Sequence, residues 1–221
     1  LVGSEMCIRD RKKWVKIALS ACLAAALLAV WGVSFVNANN VPYKPMNEYY
    51  KTGDNVEIGL NFFDVVTENP DGYIIRVNSA AVRDYRTYYE SLGGTVDEES
   101  FTSIGASVPK YVYDVEVTLT NTNNTDGLIY LNRYELQCGA MTMPVDFEIW
   151  NLLTPQLEGN AVFRLKPGTT EVIHFPFVEQ PMNSMTDSEK TNKTIETGTF
   201  YLCVSYCPTR KLIELNNVKY E

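Results

Sequence analysis

The sequence is short of the residues on which most enzyme chemistry depends. It has one histidine, His174, and five cysteines with no CxxC pair among them. It also has no glycine-rich phosphate loop and no internal repeat of fixed period. A structural zinc site needs closely spaced ligands, and a phosphate loop needs its glycines and lysine. We therefore expect no catalytic residue, no metal and no cofactor.

Positive charge is also scarce. The chain has 19 Lys and Arg against 27 Asp and Glu, and after Val36 the counts are 14 and 25, a net charge of −11. Nucleic acid and anionic lipid headgroups attract basic proteins. The composition therefore argues against nucleic acid as a partner, and solubility explains the acidic balance.

One long hydrophobic run stands out against this polar background. Ile17 to Val36 contains no charged residue over 20 positions, which is about 30 Å of helix and enough to cross a bilayer. Four of the six residues in the preceding stub, 11–16, are basic. By the positive-inside rule, the N-terminus lies in the cytoplasm and the rest of the chain lies outside. The sequence thus predicts a single-pass cell-membrane protein.

Two other interpretations of the apolar run remain open. The short residues at Val36, Asn37 and Ala38 suit a signal peptidase, and cleavage near Ala38 would give a secreted protein. Leu19 to Cys22 resembles a lipobox, but lipidation at Cys22 would leave the apolar residues after it unexplained. A retained anchor is favoured because signal peptides have apolar regions of only about 7 to 15 residues.

The first ten residues suggest an artefact. Leu1 to Asp10 read LVGSEMCIRD, which resembles the translation of a DNA adapter used in short-read sequencing libraries. We exclude residues 1–10 from fold arguments, as is done for fusion scars.

Period-two alternation begins after a polar segment. Residues 37–55 are rich in Asn and predict a tether, followed by an exported domain over 56–221. From Tyr111 to Leu119, odd-numbered apolar residues alternate with Asp114, Glu116 and Thr118, which indicates a half-buried strand. Asn121 to Gly127 predicts a turn whose residues tolerate positive φ and cap their own backbone.

Further strands and two helices follow from the same signals. About eight short strands separated by turn signals predict an all-β, antiparallel sandwich. Residues 84–92 and 145–153 predict short helices, and the polar stretch 180–198 predicts a long mobile loop. The remaining predicted strands are 56–62, 72–82, 128–138, 161–165, 172–177, 199–206 and 212–215.

A family resemblance follows from these segments. The basic stub, membrane run and Asn-rich tether are followed by YVYDVEVTLTNTNN, LKPGTTEVIHFPF and a final YLCVSY strand. This arrangement resembles small uncharacterised families of Gram-positive bacteria, domains of unknown function anchored in the membrane. The resemblance covers roughly residues 50 to 216. It implies an extracytoplasmic immunoglobulin-like β-sandwich of about 7–8 strands with one or two short helices. It supplies no catalytic residues.

The histidine and the exported cysteines are the first residues to consider for chemistry. His174 alternates with Ile173, Phe175 and Phe177, so it faces solvent if those three face the core. Cys203 and Cys207 are about 13 Å apart along a strand, too far for a disulfide. Cys138 can bridge across the sheets, with Cys138–Cys207 as the candidate pair, or all three thiols stay reduced.

Three further groups of polar and aromatic residues stand out. A calcium loop aligned on Gly127 would place Arg133 where a bidentate Glu is required, so the match fails. Asp97 to Glu99 reads as a solvated loop. Among the 14 tyrosines, Tyr85, Tyr88 and Tyr89 are a candidate binding surface, because tyrosine combines apolar area with a polar tip.

The sequence therefore predicts a membrane-tethered extracytoplasmic domain that binds or supports an unknown protein or cell-wall partner and is not an enzyme. A cell-wall or carbohydrate binding module that uses Tyr85, Tyr88 and Tyr89 is the alternative, and a secreted protein is the second alternative.

Overall fold

The chain divides into an N-terminal helix and a β-rich domain. The computed structural model describes residues 3–39, 46–64, 68–103, 105, 107–157, 159–179 and 188–221, and compact units cover Leu1–Lys44 and Pro45–Glu221. In the first unit, α1 (Gly3–Asn39) contains a 24-residue stretch, Trp14–Asn37, that is long and apolar enough to cross a membrane. A signal sequence would have the same properties.

The second unit is mostly β-structure with a few short helices. Its strands in the described residues are β1 (Met46–Lys51), β2 (Val56–Glu57), β3 (Tyr73–Asp84), β4 (Tyr111–Asn121), β5 (Ile129–Tyr130), β6 (Glu135–Cys138), β7 (Met141–Pro144), β8 (Val162–Phe163), β9 (Thr169–Val178), β10 (Tyr201–Ser205), β11 (Thr209–Glu214) and β12 (Lys219–Tyr220). The helices are α2 (Tyr85–Ser91), α3 (Glu98–Ser103), α4 (Phe147–Leu153) and α5 (Ser188–Thr197), with 3-10 turns at Leu131–Arg133 and Pro155–Leu157.

These strands form two larger sheets and one small one within the described residues. The first sheet has the order β1-β11-β10-β6-β7, the second has β12-β3-β4-β9 with β2 also on β3, and β5 pairs with β8. The β1–β11 and β12–β3 pairs are parallel. The prediction of seven to eight antiparallel strands is therefore wrong in number and in these two pairings, whereas the predicted β-rich class is confirmed.

Residues of both larger sheets share one hydrophobic core. Val115 and Phe175 of the second sheet belong to the same buried cluster as Leu202 and Ile213 of the first. Tyr113 packs against Phe200 with ring centroids 4.9 Å apart. The alternation in β4 therefore directs its odd-numbered residues inward, as predicted.

The opposite face of β4 is less exposed than its alternation predicts. Glu116 and Thr118 are partly exposed, but Val112 and Asp114 are buried. Tyr85 of α2 packs with Val112 in a second apolar cluster. Because this helix covers one end of the sheet, the two-faced pattern holds only in the second half of the strand.

Several predicted segments differ from the structure. The tether prediction over 37–55 is wrong for Met46–Lys51, which is β1 at an edge of the first sheet, and residues 40–45 lie outside the described residues. The polar stretch predicted as a loop contains α5 (Ser188–Thr197), with 180–187 outside the described residues. Its apolar anchor is Ile195, which is 1% exposed.

Two predicted strands are shorter than their sequence patterns. The strand predicted over 128–138 is divided into β5, a 3-10 turn and β6, because β5 pairs with β8 and β6 pairs with β10 and β7. In the strand predicted over 56–62, only Val56–Glu57 pairs with β3, and a turn at Gly59 and Leu60 follows. Apolar runs reveal burial but not the partner strand, so these breaks carried no sequence signal.

Candidate functional site

A charged cluster occupies the face of the second sheet that points away from the core. It consists of Arg83 on β3, Tyr88 on α2, Asp114 and Glu116 on β4, and His174 on β9; we call it the His174 cluster. The strand register explains how these residues meet, because Glu116 pairs with His174 and Asp114 with Pro176. Residues that are far apart in sequence thus come together on adjacent strands.

Asp114 is the buried centre of this cluster, with a side chain only 4% exposed. Its Oδ1 lies 2.8 Å from Nδ1 of His174, and its Oδ2 accepts a hydrogen bond from the Tyr88 hydroxyl at 3.1 Å. Nε of Arg83 lies 3.5 Å from Oδ2, and Arg83 also forms an ion pair with Glu221. A buried carboxylate needs such partners to remain charged.

The electrostatics of His174 favour the doubly protonated ring. Its hydrogen bond with Asp114 raises the pKa of the imidazole, against an opposing effect of burial. Nε2 faces Glu116 at 3.7 Å, so carboxylates stand beside both ring nitrogens. A protonated ring would therefore donate a hydrogen bond to Asp114 and form a longer ion pair with Glu116.

A cavity of about 350 Å³ begins beside His174 at the edge of β9, and we call it the β9 cavity. Helix α4 and the turn after it form one wall, and β8 and β9 form the others. Its apolar lining residues are Trp150, Leu153, Leu157, Phe163, Leu165, Val172 and Ile173, and its polar ones are Thr154, Gln156, Arg164, Glu171 and His174.

Trp150 gives this cavity an unsatisfied polar group. The residue is 0% exposed and packs between Phe163 and Phe175, with ring centroids 6.0 and 6.1 Å away. Its indole Nε1 has no hydrogen-bond partner in the described part of the chain. A buried donor without an acceptor is destabilising.

Helix α4 holds Trp150 in position. The Asp146 carboxylate accepts a hydrogen bond from the Ile149 amide at 2.9 Å and caps the N-terminus of the helix. Burial raises the pKa of this carboxyl group. The sequence predicted a short helix over 145–153, but no sequence signal indicated that Trp150 and Leu153 line a cavity.

The predicted tyrosine surface is mostly occupied by contacts within the protein. Tyr85 is 1% exposed, and its ring stacks on that of Tyr89 at 5.8 Å. The hydroxyls of Tyr88 and Tyr89 donate hydrogen bonds to Asp114 and Glu148 at 3.1 and 3.3 Å. Tyr85 also lines a second cavity, of about 220 Å³, together with Asp146 and Glu179.

The candidate disulfide between Cys138 and Cys207 is absent, since Cys138 carries a free thiol. Cys138 ends β6, whose Gln137 pairs with Tyr201 at the start of β10, whereas Cys207 follows the end of β10. The two residues are therefore at opposite ends of one strand. Burial raises the pKa of Cys203 to about 11, so that thiol is unreactive near neutral pH.

The described residues contain no group of three or more His, Cys, Asp and Glu that could hold a metal ion. No curated protein and no solved structure matched the chain. A family model described as a domain of unknown function (DUF5028) matches residues 47–211, which include the His174 cluster and the β9 cavity. This match spans more than half of the chain, so the chain belongs to the DUF5028 family of domains of unknown function.

Proposed function

We propose that residues 46–221 form an extracytoplasmic binding domain, tethered to a membrane by the apolar helix, and that the β9 cavity is its binding site. The observation that carries this proposal is the β9 cavity itself, which has a volume of about 350 Å³ and a mainly apolar lining with Arg164, Glu171 and His174 among it. A ligand with an apolar body and one or two polar groups would match this lining.

Size and composition support a binding role. Ligand sites commonly have volumes of about 300 to 1,000 Å³ and an apolar lining with a few polar groups. The β9 cavity, at about 350 Å³, has this character, with Arg164, Glu171 and His174 among mainly apolar residues.

The chemistry of the His174 cluster supports a function other than catalysis. In this proposal the carboxylates of Asp114 and Glu116 hold His174 as part of a structural ion-pair network. The cluster joins β3, β4, β9 and α2, which stiffens one wall of the binding site.

For the fold, we propose an immunoglobulin-like sandwich, elaborated by parallel edge strands. Support comes from the two larger sheets, whose residues share one core, and from the antiparallel order β3-β4-β9. The Gram-positive origin that the resemblance implied stays a prediction. The carbohydrate-module alternative receives no support from the tyrosines, because Tyr85 is buried and its ring stacks within the protein.

The location outside the cell follows from charge. Arg11, Lys12, Lys13 and Lys16 precede the apolar helix, and basic residues stay on the cytoplasmic side of a membrane segment. In a chain whose native cysteines are replaced by serine, a cysteine introduced at Leu60, which is 77% exposed, should react with a membrane-impermeant maleimide in intact cells. Lys12→Cys should react only after lysis, and the reverse pattern would overturn the proposed topology.

Fluorescence of Trp150 tests the binding site. In a chain with Trp14→Phe and Trp31→Phe, Trp150 is the only tryptophan left. Titration with benzamide, an aromatic ring bearing a carbonyl acceptor, should change its emission in a saturable way. Leu153→Phe, which fills the cavity, should abolish the change, whereas Leu60→Phe on the exposed surface should not. A linear, non-saturable response in the parent chain would overturn the proposal.

A further inference from the structure

Strand β9 is an edge strand whose outer side is only partly covered. In the described residues, β4 is its neighbour in the sheet, and the bridge Val145↔Phe177 covers its C-terminal end. The amide of Asp146 donates to the Pro176 carbonyl at 2.7 Å, so Pro176 directs its backbone away from β4. Since backbone direction alternates along a strand, Thr170, Val172 and His174 also direct their N–H and C=O groups outward.

These outward groups have no partner among the described residues. The register with β4 is regular along β9, so no bulge changes the alternation. The free stretch is therefore about five residues long, from Thr170 to His174. Val172, in the middle of this free stretch, is also 58% exposed. An uncovered edge of this kind is a template for pairing with another strand.

The β9 cavity opens along this same stretch. Its lining includes four consecutive residues, Glu171 to His174. Consecutive side chains on a strand point to opposite faces, so a cavity that touches all four must abut the edge of the strand. Backbone pairing groups and an apolar cavity thus lie together.

We propose that this edge binds an extended segment of a partner polypeptide, which adds a strand to β9 and places one bulky apolar side chain in the β9 cavity. The proposal rests on the proposed function and names the ligand class. An extended peptide alone offers donors and acceptors at the repeat of a strand together with side chains at fixed intervals.

Charge distinguishes the partner from a second copy of this chain. The chain after Val36 has a net charge of −11, so two copies repel each other at low ionic strength. Glu171, on the free edge, is exposed and acidic, whereas Arg164 and His174 line the cavity beside it. The net charge of the domain therefore favours a basic partner segment, with lysine or arginine on the positions that alternate with its apolar anchor.

Binding of synthetic peptides tests the proposal. The probes are six peptides of sequence KTKXKTK, capped at both ends, in which X is Leu, Ile, Met, Phe, Tyr or Trp, and a seventh in which X is Ala. The full chain is held in phosphatidylcholine nanodiscs, with empty nanodiscs as the blank, and binding is measured by anisotropy of a neutral dye on the peptide. We expect at least one bulky X to bind about tenfold more tightly than Ala, and the affinity to fall with added salt.

Two protein variants separate the edge from the cavity. Val172→Pro removes one outward N–H, and Pro176 already occupies an equivalent position on the same strand, so the fold should tolerate the change. It should weaken the best peptide about tenfold, whereas Val172→Thr keeps the N–H and should not. Leu153→Phe should abolish binding, and Leu60→Phe should leave it unchanged. Thermal unfolding of each variant checks that it folds.

The experiments distinguish the ways in which the two proposals could be wrong. If benzamide saturates the Trp150 response but no peptide binds at about 1 mM, the polypeptide inference is overturned and the proposed binding function stands. If benzamide gives no saturable change in Trp150 emission and no peptide binds, the proposed binding function and the polypeptide inference are both overturned. Equal peptide affinity in Val172→Pro and Val172→Thr would show that no strand is added. Concentration-dependent dimers that Val172→Pro dissolves would identify a second copy as the occupant, which would also overturn the inference.

Discussion

Asp114 carries a buried charge that residues of three other elements balance. Its side chain is 4% exposed and contacts His174, Tyr88 and Arg83. Removing one partner of a buried charge costs more than the pair contributes, because the remaining charge is left desolvated. The stability of this part of the sheet should therefore depend on the protonation of His174.

A pH series tests this dependence. The pKa of His174 is raised above the ordinary value of 6.5, so the folded protein binds this proton more tightly than the unfolded chain does. The stability gained from the pair is fully present below about pH 6.5 and is lost as pH rises through the raised pKa. The difference in unfolding free energy between the parent and His174→Gln should thus shrink from pH 6 to alkaline pH. Urea unfolding measures it, and a constant difference would contradict the ion pair.

Val115 provides a test of the core. It is 0% exposed and its neighbour Glu116 is on the other face, where it accepts a hydrogen bond from Asn78 at 3.0 Å. Val115→Asp should lower the free energy of unfolding by about 4 kcal/mol, because it buries a carboxylate without partners. Glu116→Gln should cost about 1 kcal/mol or less. Urea midpoints compare the two, and equal losses would show that both faces of β4 are equally buried.

At the scale of elements, the turn after β4 is held by two buried asparagines. The Asn124 side chain donates hydrogen bonds to the carbonyls of Asn69 and Asp71, both at 2.6 Å, and Asn121 donates to Leu165 O at 2.8 Å. Gly127 is required here for close approach and not for positive φ, since a Cβ atom would lie 1.9 Å from Asn69 O. The turn therefore joins three chain segments.

Asn124→Ala should lower the unfolding free energy by about 2 kcal/mol, because it removes the side-chain hydrogen bonds to the carbonyls of Asn69 and Asp71. The neighbouring Asn123 is exposed and serves as the control. Asn123→Ala should change stability by about 0.5 kcal/mol or less. Chemical denaturation measures both values, and a similar small effect at the two positions would mean that the turn does not depend on the Asn124 contacts.

Local signals made some of these elements predictable and left others hidden. The alternation of β4, the turn at its end and the short helices α2 and α4 depend on neighbours in sequence, and each was indicated correctly. Strand β1 pairs in parallel with β11, 163 residues away at Met46↔Thr209, and nothing near Met46 reports that partner. The His174 cluster was hidden for the same reason, because the register of β4 against β9 brings Asp114 to His174.

At the scale of the whole molecule, the β-rich domain follows an apolar helix that either anchors it or is removed. Trp14–Asn37 spans 24 residues, about 36 Å of helix, longer than the apolar region of most signal peptides. Retention would keep the binding site near the membrane and raise the effective concentration of any partner there. Removal near Ala38 would release the same site into the medium.

The full chain should remain in the membrane fraction after washes with high salt and alkaline carbonate, since burial of about 20 apolar residues in lipid outweighs any surface charge interaction. Immunoblotting with a tag after Glu221 follows the chain, and its apparent mass reports whether the helix is still attached. Replacing Leu27 and Leu28 with lysines is the matched control, because two charges at the centre of the helix cost several kcal/mol in a bilayer and should abolish retention. Recovery of a soluble product beginning near Asn39 would instead show that the helix is a cleaved signal peptide, and the binding domain would then act as a secreted protein.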